Sequence, residues 1–477
     1  MSRDLEKNSK EKNIKKANKE INPFVLIFGV VFVCGLLTFI ITPGTLKDGV
    51  YTALPRNAFN FNNFFNIFRS VPYGLKDSAN IVILILIVGG ALGIYKKVGA
   101  INSGISTLVH KFGKSSQTLL LVVLITVFSA IGGFLGWIET LIPFIPLVIA
   151  TVLALGYDSM TAVAVCILGT MGGFVAGPTN LYTVGVCNGI LQKMGILPEG
   201  GDIFVGLGYR TLIWAIITLI TIIYILMYAN KVRKDPGKSL VAGTDTSDIE
   251  IDTTDPEASK MTTRHGLVLL TIVGALILTI IGMKYGINGV KWGVDEVSAV
   301  FFFSALLSGF ICRMDPSDFS DTFIAGAAGA ISGALVVGVA RGIYWVFNAA
   351  NINATIIHYG TEALKGTSPL VAAMGIVILS SLADGLIPSG SAKGAILSPI
   401  VVPIALSLGL TSQTTVLAYQ FGDGITNMFW FSYGTLLIFL NYAKVPLNKW
   451  YRFALPILGI FFLMAFIFLA VAIKIGY

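Results

Sequence analysis

Five charged residues stand within or beside apolar runs of this chain. Glu139 lies in GWIETLIPFIPL, Arg341 in VGVARGI, Asp384 and Lys393 on either side of the tip in LIPSGSAKGA, and Asp423 in AYQFGDGITN. A charge in hydrocarbon costs about 2.5–3.5 kcal/mol even on lenient insertion scales, so it persists where it pairs or serves a solute. Asp384 and Lys393 read either as a structural pair or as groups that meet a solute. Arg341 and Asp423 read as site residues, as an ion pair or as interfacial anchors. Glu139 has no basic residue near it in sequence, and a functional role explains it best.

Neutral residues beside these charges offer matching chemistry. Gly177-Pro178-Thr179-Asn180 and Gly424-Ile425-Thr426-Asn427 each interrupt an apolar stretch. Glycine and proline break a helix and free backbone carbonyls and amides, while threonine and asparagine add oxygens. Carbonyls with such oxygens suit a small hard cation such as sodium, and they serve a proton-coupled solute equally well. Helix N-termini after Asn180 and Ser391 would present amide donors to a carboxylate. The simpler alternative is that the breaks only let helices pack closely. That alternative weakens when two related breaks occur.

The elements that position these groups must lie in a membrane. The 477 residues are 55% hydrophobic and 12% charged, against roughly 25% charged in soluble proteins. Nearly uncharged windows approach the length that crosses ~30 Å of hydrocarbon. The clearest are 24–42, 80–95, 119–134, 213–228, 267–281, 299–312, 331–346, 371–382 and 456–472. The net charge of +8 concentrates in the tail 1–23 and the loops and is no nucleic-acid signature. The Lys-rich tail reads as cytoplasmic, ahead of a retained helix. Cys34, Cys166, Cys187 and Cys312 stand singly, without metal-ligand spacing.

The polar stretch 231–264 reads as a solvated cytoplasmic linker between two halves, 24–230 and 265–477. The halves resemble each other. Gly93-Ile94-Tyr95 matches Gly342-Ile343-Tyr344, Leu155-Gly156 matches Leu408-Gly409, and the two Thr-Asn breaks match. Lysine placement puts 96–116 inside (Lys96, Lys97, Lys111, Lys114), whereas its counterpart 347–364 has no Lys or Arg and should lie outside. Corresponding elements then face opposite sides, an inverted-topology repeat as in many secondary transporters. The expected architecture is all-α, with about nine full spans and two re-entrant hairpins, 117–156 and 366–410. The N-terminus is inside and the C-terminus outside the cytoplasmic membrane. A Walker-type phosphate loop is missing, and His110, His265 and His358 lie in amphipathic or loop stretches, so nothing points to an enzyme or a cofactor.

The order GWIETLIPFIPL, LALGYDSMTAVAV, LIPSGSAKGA, AYQFGDGITN resembles the YfcC-type carriers of the four-carbon-dicarboxylate anaerobic carrier (DcuC-like) family, within the ion transporter superfamily. VGVARGI and NKVRKDPGKSL are similar as well. The resemblance covers the chain after residue 24. It implies an elevator-type secondary carrier, a homodimer, with ion and solute bound at the hairpin tips and helix breaks. Those positions are Gly136, Glu139, Thr140, Gly177, Thr179, Asn180, Ser389, Gly390, Ser391, Lys393, Gly424, Thr426 and Asn427, with Asp384 and Asp423 beside them. Sodium would sit at Gly177, Thr179, Asn180, Gly424, Thr426 and Asn427, unless a proton does the coupling. This sequence departs from the family where Ile138 precedes a single Glu139, and where Lys393 follows Ser391-Ala392. The resemblance implies basic amino acids such as arginine and ornithine as solutes, or a four-carbon dicarboxylate or other small organic anion. Three acids tilt the balance to a cationic amino acid, and Lys393 argues the other way. A channel is a further alternative, disfavoured because the polar residues cluster at two breaks instead of lining a continuous path.

Overall fold

A computed structural model describes residues 23–47, 50–247, 249, 260–287, 289–290 and 292–477. The basic tail at 1–22, the linker's middle at 250–259, and the side chains of 108–116, with Lys111 and Lys114, lie outside the described residues. Nine helices among the described residues are long and apolar enough to cross a membrane. The chain is mostly helical but not wholly so. After α1 (Pro23–Leu37), strands β1 (Gly44–Lys47) and β2 (Val50–Ala53) pair antiparallel, with Thr45 opposite Thr52. The all-α expectation missed this ribbon because eight residues with no long alternating pattern give little strand signal.

One group of helices packs through small residues. It comprises α1, α2 (Phe61–Asp77), α3 (Ala79–Lys97), α9 (Thr263–Tyr285), α10 (Val294–Ile311) and α11 (Pro316–Ala349). A Cβ on Gly326 would lie 2.4 Å from the Gly89 carbonyl, and one on Gly74 would lie 2.3 Å from the Gly338 carbonyl. Backbones approach this closely only where side chains are absent, the usual device of membrane helix pairs.

The second group holds the broken elements. Helix α4 (Ala100–Ala130) is continuous, so the amphipathic stretch expected at 96–116 runs straight into the first arm of the hairpin instead of lying apart. A π-helical turn (Ile131–Leu135) and a 3-10 turn (Glu139–Phe144) form the tip, and α5 (Ile145–Ala154) returns. At 10 residues α5 is only about 15 Å long, half the thickness of the hydrocarbon. The second hairpin is built differently. Its arms, α13 (Pro369–Leu386) and α14 (Gly390–Ser407), have 18 residues each and are long enough to cross.

Between the hairpins and the breaks lie α6 (Ser159–Phe174) and α15 (Ser412–Thr426). Every residue of α6 and every residue of α15 from Gln413 onward is buried. Helix α15 carries Gln413, Gln420 and Asp423, which lipid would not tolerate, and enclosure by protein is what permits them. The remaining helices are α7 (Val186–Lys193), α8 (Leu207–Lys234), α12 (Ile352–Glu362), α16 (Gly434–Tyr442) and α17 (Leu447–Ile475).

Left-handed backbone recurs at the matched Gly156 and Gly409 and close to the matched segments at Gly99 and Asn351. Gly99 opens α4 at φ +77° and Asn351 opens α12 at φ +56°. Gly156 and Gly409, at φ +82° and +85°, precede α6 and α15. Asp158 caps the first by accepting from Thr161 N, and Thr411 caps the second by accepting from Thr414 N. The early linker is held down. Ser239 and Tyr228 hydroxyls both donate to Asp158 Oδ2, at 2.6 and 2.7 Å.

Candidate functional site

The first tip and the first break are built against each other. Gly136 sits at φ +70°, and a Cβ there would lie 2.3 Å from Asn180 Oδ1. A left-handed backbone and a close neighbour together require glycine. The Thr179 hydroxyl donates to the Phe134 carbonyl at 2.7 Å, across the same contact. Asn180 Oδ1 accepts from Tyr182 N at 2.9 Å, while its buried Nδ2 has no hydrogen-bond partner among the described residues.

The second tip rests on the same break. Ser389 caps α14, and a Cβ on Gly390 would lie 2.8 Å from Thr183 Cγ2 and 3.3 Å from both Asp423 carboxylate oxygens. The two breaks meet as well. A Cβ on Gly424 would lie 2.7 Å from Val175 Cα, and Gln420 Nε2 donates to the Phe174 carbonyl at 2.5 Å. Gly177 packs on the Gln420 amide.

Behind the second tip, three charges form a closed set. Lys393 is fully buried, donates to Asp384 Oδ1, and lies 2.7 Å from Asp423 Oδ1. Thr426 Oγ1 shares its proton between the Gly422 carbonyl at 2.6 Å and Asp384 Oδ2 at 3.1 Å. The ammonium is near Asp423 but poorly aligned, and neither Asp423 oxygen accepts a hydrogen bond among the described residues. A carboxylate buried in that condition has capacity for another donor.

A cavity of about 320 Å³ opens in front of this set. Gly136, Glu139, Ser389, Gly390, Ser391, Asp423 and Asn427 line one wall. Asp77 from the end of α2, Ser78 before α3, Asn80 in α3, and Val337 and Arg341 from α11 line the facing wall. Glu139 Oε1 accepts from the Tyr433 hydroxyl at 2.8 Å, and Arg341 donates to Asp77. Three carboxylates (Asp77, Glu139, Asp423) therefore line the cavity with one guanidinium; Asp77 is paired with that guanidinium and the buried Asp423 lies against Lys393, which leaves Glu139 as the lining carboxylate without a cation beside it among the described residues.

Seven of the fifteen expected site residues thus reach the cavity. Gly177, Thr179, Asn180, Gly424 and Thr426 stand behind it and shape the breaks. Asp384 and Lys393 pair in the interior. Thr140 departs from the expectation most: it faces α9, with its hydroxyl 3.4 Å from Met283 Sδ. Tyr433 and Arg210 were not anticipated. Arg210 is fully buried in the first turn of α8, and its Nη1 donates to the Ala176 carbonyl at 3.3 Å. Its Nε and Nη2 have no hydrogen-bond partner among the described residues. Three residues ahead of an apolar run, it looks in sequence like an interfacial anchor. Among the described residues no group of three or more His, Cys, Asp or Glu could hold a metal ion.

The chain is similar to known proteins along most of its length. The chain is 29% identical over 423 residues, 86% of itself and 81% of the relative, to an Escherichia coli (strain K12) protein provisionally named a basic amino acid antiporter, YfcC. It is 24% identical over 425 residues, 86% of itself and 88% of the relative, to a Haemophilus influenzae protein provisionally named a short-chain fatty acid transporter. Among solved structures, the Alcanivorax borkumensis YdaH transporter aligns over 96% of this chain and 99% of that one, at 15% identity and a TM-score of 0.43. The chain is a multi-pass membrane protein, and its family and the names given to its relatives indicate a role in transport. The family model for the C4-dicarboxylate anaerobic carriers matches residues 22–474, and the chain belongs to that family.

Proposed function

We propose that this protein exchanges small cationic amino acids across the cytoplasmic membrane, binding them in the cavity between the two hairpin tips. The observation that carries this reading is the charge around the cavity. Glu139 and Asp423 face it, Lys393 is withdrawn behind Asp423, and Arg341 is engaged by Asp77. An ammonium or guanidinium finds carboxylate acceptors there, and charge-assisted hydrogen bonds are the stronger kind. The amides of Gly390 and Ser391, at the N-terminus of α14, are suited to the solute's carboxylate. The volume lies at the low end of the ~300–1,000 Å³ usual for small-ligand sites. The provisional name of the Escherichia coli relative is consistent with the reading.

Movement is of the elevator kind in this proposal. The second group of helices, with both tips and both breaks, travels against the first group, which holds a homodimer together. The recurring backbone at Gly99 and Asn351, and at Gly156 and Gly409, supports an inverted repeat as the source of the two alternating states. The N-terminus lies inside and the C-terminus outside.

A dicarboxylate is the second reading. The family description favours it, as do the α14 amides and Arg341 should it leave Asp77. Counterflow in proteoliposomes loaded with arginine, ornithine, lysine, succinate or fumarate separates the two. Accumulation of labelled arginine or ornithine against a basic amino acid inside is expected. Accumulation of succinate or fumarate, with no basic amino acid moved, refutes the first reading.

A further inference from the structure

The expected sodium site does not fit the charges that surround it. Its six residues supply neutral oxygens. The acids next to them that could balance a sodium ion, Asp384 and Asp423, already hold an ammonium between them. Thr426 links one expected sodium donor to this set through its bond to Asp384. Lys393 is wholly buried, so its charge does not exchange with water.

We infer that the Lys393 ammonium is a tethered stand-in for the coupling cation, fixed between Asp384 and Asp423, and that the carrier therefore works without sodium. This inference rests on the proposed cation exchange and extends it to the source of coupling. A carrier that binds sodium gathers its positive charge from one side of the membrane and releases it on the other. A lysine on α14 moves with the tip and is never released. An alkali-ion gradient then has nothing to act on.

The same arrangement accounts for exchange in preference to net flow. Lys393 and the buried Arg210 balance two of the three carboxylates Glu139, Asp384 and Asp423 at the tips and breaks, and the one negative charge left in excess lies at the cavity wall. An uncompensated buried charge is costly to carry through hydrocarbon. A cationic solute neutralises it. The loaded tip crosses, and the empty one does not.

The test needs no substrate for its first readout. The detergent-purified full chain is melted in sodium, lithium, potassium or choline chloride at equal ionic strength, and exchange is then measured in the same salts. The wild-type Tm and exchange rate should be the same in all four. Lys393→Ala leaves two carboxylates without their cation, and its Tm should rise saturably with one of the alkali ions above the choline value. A wild-type protein that requires sodium overturns the inference, and so does a folded Lys393→Ala protein that melts alike in every salt. If Lys393→Ala does not survive purification, the double variant Lys393→Ala/Asp384→Asn carries the test, because it keeps the net charge of the set while deleting the ammonium. It should be recovered folded and melt alike in every salt. A double variant recovered no better than the single one overturns the inference. Transport of a dicarboxylate would refute the substrate reading and leave these melting results standing.

Discussion

Glu139→Gln separates the solute's charge from the architecture of the tip. The side chain keeps its shape, and the Tyr433 hydroxyl, now 2.8 Å from Glu139 Oε1, can still donate to the amide oxygen. That bond changes from charge-assisted to neutral, a loss of about 1 kcal/mol. The fold should tolerate it, since among the described residues Glu139 has no cationic partner that would be left unpaired. A cationic solute loses more. A hydrogen bond to a charged acceptor contributes roughly 1.5–3 kcal/mol, so apparent affinity for arginine or ornithine should fall about 10- to 150-fold. The assay is a concentration series of exchange in proteoliposomes, with the Tm of the detergent-solubilised protein as the control for folding. A dicarboxylate responds with the opposite sign, because removing a negative charge from the cavity wall helps an anion bind. Unchanged affinity for basic amino acids with an unchanged Tm would remove Glu139 from the site. Tighter succinate binding would establish the anion reading instead.

Three further substitutions probe the first tip, a buried charge and the linker anchor. Gly136→Ala forces a side chain onto a φ of +70° with its Cβ 2.3 Å from Asn180 Oδ1, so exchange should be lost and stability, read as a lower Tm, should fall by about 1 kcal/mol or more; wild-type exchange would show that the first tip does not need this contact. Arg210→Met removes a buried guanidinium, two of whose nitrogens have no hydrogen-bond partner among the described residues. Its removal relieves the desolvation cost of a buried charge, so Tm should hold or rise, and a marked fall in Tm would show that the guanidinium is paired in the folded protein. Asp158→Ala removes the α6 cap, a loss of about 0.5–2 kcal/mol, together with the acceptor for Ser239 and Tyr228. Trypsin should then cut faster at Lys238, and an unchanged cleavage rate would show that this anchor does not hold the linker.

The residues that could be read from sequence were those whose cost is local. Glu139, Asp423 and the glycines of the two breaks stand out because hydrocarbon makes a charge or a broken helix expensive wherever the rest of the chain goes. The membrane character and the matched Leu-Gly turns were legible for the same reason: backbone conformation at Gly156 and Gly409 is set by a few neighbours. What could not be read depends on contacts across long separations. Asp384 and Lys393 are nine residues apart, so their pairing was one of two open options, but Asp423 joins them only because α15 crosses behind the second tip. That third charge changes the meaning of the lysine. Next to Asp384 alone it would neutralise the region and leave either solute class acceptable. Between two carboxylates it balances one of them only, and the excess left at the tips and breaks lies at the cavity wall. Arg210 was missed by the converse logic. Its sequence setting is that of an ordinary anchor at a helix end, and only the packing of α8 against the Ala176 carbonyl takes it out of reach of water. Tyr433 belongs to the same class, since 294 residues separate it from Glu139. The electrostatics of this cavity are thus a property of the folded chain, and the proposed preference for a cation turns on where one lysine ends up.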